Sequence, residues 1–374
     1  MTDYLKTENR GSIDRRAFLR RAAALGAAAA GVQLASLLAF PMSARAADVA
    51  LTMFVFSGGE QGTVAKEVVG QFLKANAGVK IEFYEESNAV AYPKMRAANQ
   101  ANPNQPLVNF GYFNANATAM GDQDGMWLPL DPAKIPNMND VFPAYHRPDN
   151  HGVGHSISPI GIAYNKEKVK TPPVSWADVW SNPEYKGRVI LFDYLWPYTG
   201  VIQAAKMNGG SEANPDPGME IWAKHTDQIL ALVTSTQQAQ NLIARGDAWV
   251  TIWAKGNVQQ WADAGVPVEF VVPKEGVIAF PLFFQMVVGS TPEQQAIAEK
   301  IINVLLEPAQ LGRWCELNGV APTSSKVQLP ARMAADPAYG KDAVANATQL
   351  DWPTLARKDA EYREKWDRMV KTRL

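Results

Sequence analysis

After residue 46 the chain alternates short β-rich apolar runs with segments patterned as helices, and this alternation leaves few architectures open. The run ALTMFVF, 50–56, ends at Ser57-Gly58-Gly59. TVAKEVVGQFLKA follows, with Val64, Val68, Val69 and Phe72 at the spacing of one helical face. VKIEFYE alternates as a strand, AYPKMRAAN reads as a helix, and PLVNFGYF as a third strand. This β-α-β-α-β order predicts a parallel sheet with covering helices. A second series follows: the strand SPIGIAYNK, then VSWADVWSNPEYKG with Ser175 as N-cap, Asp178 in the first turn and Gly187 closing it. RVILFDYL is the next strand, and TGVIQAAKMNGG a helix ending at Gly209. The helices TQQAQNLIARGD and NVQQWADAG alternate with the strands AWVTIWAKG and VPVEFVVP. FPLFFQMVVG starts a strand able to return to the first unit, and Ala296, Ile297, Ile301, Val304 and Leu305 lie on one side of a helix after it. About 328 residues remain after position 46, more than one core comfortably serves, so two α/β units are expected. Ligands of such sheets bind outside the carboxyl ends of the strands, which makes the cleft between the units the expected site.

The first 46 residues read as an export signal. Arg15-Arg16 precede Phe18-Leu19-Arg20, an uncharged stretch rich in Ala, Gly and Leu runs from Ala22 to Phe40, and Ala44-Arg45-Ala46 has the small-residue form of a cleavage site. The pair of arginines resembles a twin-arginine signal. Removing seven basic and three acidic residues from the 36 and 37 of the whole chain leaves 29 and 34, a net −5. A mildly acidic protein does not suit nucleic acid as a partner. The single Cys315 excludes an internal disulfide, and no cysteine at the cleavage site offers a lipid attachment point. These features favour a soluble protein of the Gram-negative periplasm.

The stretches GIAYNKEKV and PVSWADVWSNPEYKGRVIL, joined by YEESNAVAYPKM, VTIWAKGNVQQWADAGVPVEFVVPKEG and EKIINVLLEPAQLGRWCELNGVAPTSSK, resemble periplasmic solute-binding proteins of ABC importers. The nearest group is the spermidine/putrescine-binding one, related to iron(III), thiamine and phosphonate binders. The resemblance spans most of residues 50–330. It implies an α/β, two-lobed periplasmic binding protein fold (type II), each lobe a mostly parallel sheet flanked by helices, with the ligand between them. Lobe 1 is expected over 47–157 with 277–330, lobe 2 over 158–276, and 331–374 as a helical segment packing on the lobes. The implied function is capture of a small organic solute for an inner-membrane ABC permease by a monomer without a cofactor, not an enzyme. A secreted enzyme is the rival class, but no Cys cluster, G-x-G-x-x-G, G-x-S-x-G or P-loop is present. A sensor partner that presents its solute to a membrane receptor shares the fold.

Candidate solute contacts are Ser57 and Gly58 after the first strand, Tyr112 at the end of the third, Tyr194, Trp196, Tyr198 and Thr199 in the stretch LFDYLWPYTG, Trp253 in TIWAKG, and Phe284. Trp253 matches a tryptophan that packs on the aliphatic ligand in polyamine binders. Phe192, Tyr194, Trp196 and Tyr198 share one side only while the chain stays extended. Phe192 is expected in the core, with the aromatic residues after it on the cleft wall and a helix starting near Thr199. The resemblance places acidic residues in this loop and after PKEG. Here the loop has only Asp193, and Phe280-Pro281-Leu282-Phe283-Phe284-Gln285 has no carboxylate. A buried ammonium without a carboxylate is costly, so a linear polyamine fits poorly, although aromatic rings can hold a cation. A metal role for His146, His151 and His155 is disfavoured, because Pro148, Gly152 and Gly154 oppose the helix that zinc spacing would need.

Overall fold

The computed structural model describes residues 49–57, 60–193 and 195–374. The proposed export signal, Gly58 and Tyr194 lie outside the described residues.

Among the described residues, eleven strands form one sheet: β1 (Val49–Phe56), β2 (Val79–Glu86), β3 (Phe110–Asn114), β4 (Trp127–Leu128), β5 (Val153–Asn165), β6 (Val189–Phe192), β7 (Ile229–Val233), β8 (Val250–Ala254), β9 (Val268–Val271), β10 (Ile278–Val287) and β11 (Ala321–Pro322). The main order is β2-β1-β3-β10-β5-β8-β6-β7. At one end β1 pairs in parallel with β2 and β3; at the other β6 pairs in parallel with β7 and β8. The long strands β5 and β10 join these two parallel sets and are antiparallel to each other and to their neighbours β8 and β3. Two parallel units linked by two crossing strands is the arrangement expected from the alternating pattern.

The helices are α1 (Thr63–Ala75), α2 (Asn88–Ala101), α3 (Ala115–Asp124), α4 (Trp176–Ser181), α5 (Trp196–Thr199), α6 (Val201–Met207), α7 (Asp216–Lys224), α8 (Thr236–Ala244), α9 (Lys255–Asp263), α10 (Pro292–Leu305), α11 (Pro308–Asn318), α12 (Ala331–Ala334), α13 (Lys341–Ala345) and α14 (Trp352–Met369). Local chemistry sets many of these bounds. Ser175 caps α4 in a reciprocal box with Asp178, as its position predicts. Val64, Val68, Val69 and Phe72 of α1 are buried on one face. Ile297, Ile301, Val304 and Leu305 of α10 are buried likewise. Among the described residues no helix is long and apolar enough to cross a membrane.

Two boundaries near the site differ from the pattern, and the helices Ala115–Asp124 and Asp216–Lys224 and the strand Ile229–Val233 are not read from it. β5 begins at Val153, five residues before SPIGIAYNK, so His155 is a strand residue. The chain turns helical at Trp196 rather than near Thr199. Pro197 suits the first turn of a helix, because its missing N–H would have no partner there. The strand ends at Phe192, and the side chains of Trp196 and Tyr198 point to different neighbours.

Candidate functional site

The strand register locates the site. Asn114, the last residue of β3, sits opposite Leu282, which pairs with Ser156 of β5. Ala254, the last residue of β8, sits opposite Ile160 of β5. The carboxyl ends of the two parallel sets thus stop four residues apart along β5, about 13 Å at strand rise. Each crossing strand has a proline in this interval, Pro159 and Pro281. Neither β3 nor β8 pairs there, so the missing N–H interrupts no ladder to those strands.

On the β3 side Tyr112 is buried at the centre of a ring cluster. It lies parallel to His155, 5.6 Å between centroids and 8° between planes, and stacks on Phe56 at 6.0 Å. The edges of Phe284 and Trp314 meet it at 5.8 Å each. Tyr112 Oη donates to the carbonyl of Gln61, which also accepts Trp314 Nε1 at 3.1 Å. These two bonds fix the segment after β1 against the wall. Burial raises the Tyr112 phenol well above its ordinary value. It pushes the His155 imidazole down to about 3, so the ring is neutral. Ser57 is exposed, and its N–H donates to Glu86 O at 3.3 Å. Phe284 is fully buried in β10.

On the β8 side Trp253 is 1% exposed, and its indole N–H is buried without a hydrogen-bond partner. Tyr198 meets it edge-on at 5.1 Å, and Phe192 and Trp261 lie at 5.5 Å each. Phe192, assigned to the core by pattern, is half-buried beside Tyr198 and Trp253. Thr199 is buried; its Oγ1 donates to Trp196 O at 2.9 Å and accepts the Val201 N–H at 3.3 Å. Gly200 follows with φ +67°, and a Cβ there would lie 2.5 Å from Ile252 Cδ1. The left-handed φ is what favours glycine here, since the Ile252 side chain can move away.

Trp196 leaves this cluster and turns toward the C-terminal helix. Its Nε1 donates to Asp359 Oδ1 at 3.1 Å, and Tyr362 meets its ring edge-on at 6.3 Å. A cavity of about 220 Å³ lies beside it. Its walls are Asn116, Met120 and Gln123 of α3, Arg96 of α2, and Trp352, Ala356 and Asp359 of α14. Asp193 lies at the end of β6, its Oδ2 2.9 Å from Lys371 Nζ.

The structure thus gathers Tyr112 with Phe284, and Tyr198 with Trp253, and packs the Trp196 ring against α14 beside the cavity. Residues absent from the sequence reading include Gln61, Trp314, Trp261, Asp359 and Lys371. Phe56 was within reach of that reading, since it directly precedes Ser57. Gln61 and Trp261 lie close in sequence to Ser57 and Trp253, while Trp314, Asp359 and Lys371 come from far along the chain, where no local pattern pairs them. Among the described residues no group of three or more His, Cys, Asp or Glu could hold a metal ion.

Comparison with known proteins accords with this geometry. Residues 67–341 match a family described as bacterial extracellular solute-binding protein. A putrescine-binding periplasmic protein of Escherichia coli is 27% identical over 272 residues, covering 66% of this chain and 71% of that protein. A gamma-aminobutyric acid-binding protein of Pseudomonas aeruginosa is 24% identical over 284 residues, covering 72% and 76%. The structure of an ABC transporter protein from Clostridium perfringens aligns with a TM-score of 0.72 at 19% identity, over 86% of this chain and 99% of that one. A spermidine/putrescine ABC transporter substrate-binding protein from Streptococcus pneumoniae aligns at 0.68 with 17% identity, over 85% and 99%. The two structures share the two-lobed binding-protein fold. The chain belongs to the bacterial extracellular solute-binding proteins, which bind solutes and are not enzymes.

Proposed function

We propose that this chain captures a small organic solute between the converging strand ends and delivers it to an inner-membrane ABC permease. The solute lies against Ser57, Gly58 and Tyr112 on one side and Tyr194, Trp196, Tyr198, Thr199 and Trp253 on the other, with Phe284 supporting the first wall. The lobes are 47–157 with 277–330 and 158–276, and they close on the solute as a monomer. Residues 1–46 export the protein to the periplasm by the twin-arginine route. The observation that carries the reading is the register of β5 and β10, which brings two sets of carboxyl strand ends together with a ring cluster on each side.

The solute is not a linear polyamine. Leu282–Gln285, flanking the site on β10, has no carboxylate, and Asp193 is already paired with Lys371. An aromatic body with few charges suits the walls better. The second reading, a polyamine binder, is supported by the 27% identity to the putrescine-binding relative. A thermal-shift screen of residues 47–374 against a solute library, followed by calorimetry, decides between them. Putrescine or spermidine binding tighter than about 1 μM establishes the second reading. Export is tested apart from binding. Replacing Arg15 and Arg16 by Lys should hold the precursor inside the cell, and normal delivery of that variant removes the twin-arginine assignment.

A further inference from the structure

The segment after residue 341, outside the family match, holds the loop after β6 at two points. Asp359 accepts the Trp196 indole N–H, and Lys371 Nζ lies 2.9 Å from Asp193 Oδ2. Asp193 is the only acidic residue in LFDYLWPYTG. Its side chain is 14% exposed, and its other oxygen, Oδ1, is buried without a hydrogen-bond partner. Without a countercharge, so desolvated a carboxylate would draw a cation to itself. Lys371 also stands 3.4 Å from Asp367, but that carboxylate is half exposed, so water already screens it.

We propose that Lys371 is a specificity-determining residue, whose ammonium occupies Asp193 from within the chain and denies the site a carboxylate for cationic solutes. The proposal rests on the reading that the loop 193–199 faces the solute. A cationic solute would have to displace an ammonium tethered in place, and a tethered group competes at a far higher effective concentration than a free one. The site is thereby biased toward uncharged or anionic molecules. Removing the ammonium leaves a mostly buried carboxylate unpaired, and a bound cation would relieve that cost.

Calorimetry with putrescine as the cationic probe tests this on wild type, Lys371→Met, Lys371→Arg and the double variant Asp193→Asn/Lys371→Met. Lys371→Met should bind the probe at least about tenfold tighter than wild type. Lys371→Arg should match wild type, and the double variant should lose the gain. Equal affinity in wild type and folded Lys371→Met overturns the proposal. A gain that persists in the double variant also overturns it, since Asp193 would not be the source. Should Lys371→Met fail to fold, Lys371→Gln keeps a donor to Asp193 without the charge and carries the same expectation. The underlying reading fails in a separate experiment. If the loop does not face the solute, Trp196→Phe and Tyr198→Phe leave the affinity for the solute found by screening unchanged while Lys371 is intact.

Discussion

Trp196 and Asp359, 163 residues apart, are joined by an indole N–H donated to a carboxylate oxygen at 3.1 Å. Asp359 is also bonded to Arg363 Nε at 2.7 Å, so one turn of α14 both holds the ring and orients its acceptor. Trp196 is 4% exposed, and a buried indole N–H left without an acceptor is costly. Asp359→Ala should therefore lower stability by about 1 kcal/mol. Asp359→Asn, which keeps an acceptor, should recover most of it. Thermal melts of the two variants beside Trp196→Phe check this, and a double-mutant cycle showing no coupling would remove the bond's contribution.

His155 predicts a pH dependence of stability. Burial holds its folded pKa at about 3, below the ordinary 6.5, so the unfolded chain binds the proton more readily. Its contribution is complete above pH 6.5 and is lost progressively as pH falls from 6.5 toward 3, by up to about 1.4 kcal/mol per unit. Denaturant melts between pH 7 and pH 5 should show this slope, above the main range of carboxylate titration. His155→Gln should flatten it, and an unchanged slope in that variant would assign the effect elsewhere.

Cys315 lies fully buried in α11, and burial raises its thiol well above the usual range. The thiolate is the reactive form. A disulfide reagent such as dithionitrobenzoate at pH 8 should leave the native protein unlabelled over an hour and label it at once in denaturant. Fast labelling of native protein would contradict the burial.

Gly256 and Gly319 meet back to back where the start of α9 touches the end of α11. A Cβ on Gly256 would lie 2.5 Å from Gly319 O. Backbone cannot yield as a side chain can, so Gly256→Ala should destabilise by about 1–3 kcal/mol. Gly78→Ala, where a Cβ would meet nothing within 4 Å, is the control and should stay near wild type. Equal melting temperatures for the two variants would mean the helices shift apart freely.

Trp253 combines a packing role with the proposed solute contact. Truncation to Ala removes the centre of the Phe192–Tyr198–Trp261 cluster and should lower stability by about 3–5 kcal/mol. Trp253→Phe keeps an aromatic ring and removes the unpartnered N–H, so it should retain most of that stability. Measured against the screened solute, a weakened affinity in the folded Phe variant supports contact. An unchanged affinity makes Trp253 a purely structural residue.

Local pattern accounts for much of the fold. The alternating run VKIEFYE became β2, the β-rich apolar runs became β1 and β6, and period-3.6 faces became α1 and α10, because an element's apolar pattern is set by positions a few residues apart. Ser175 and Asp178 closed a cap because the whole motif spans four residues. Tertiary structure decided what such short spacings do not encode. The four aromatics from Phe192 to Tyr198 alternate in sequence, yet the helical turn at Trp196 sends Trp196 to Asp359 and Tyr198 to Trp253. The counter-ion of Asp193 comes from Lys371, 178 residues later. The gap between strand ends exists because β5 and β10 pair with different partners along their lengths. Periodicity records which face of an element is apolar. Which distant element covers that face is settled when the chain packs, since burial has no direction and the partner is whichever surface the connected backbone brings within contact.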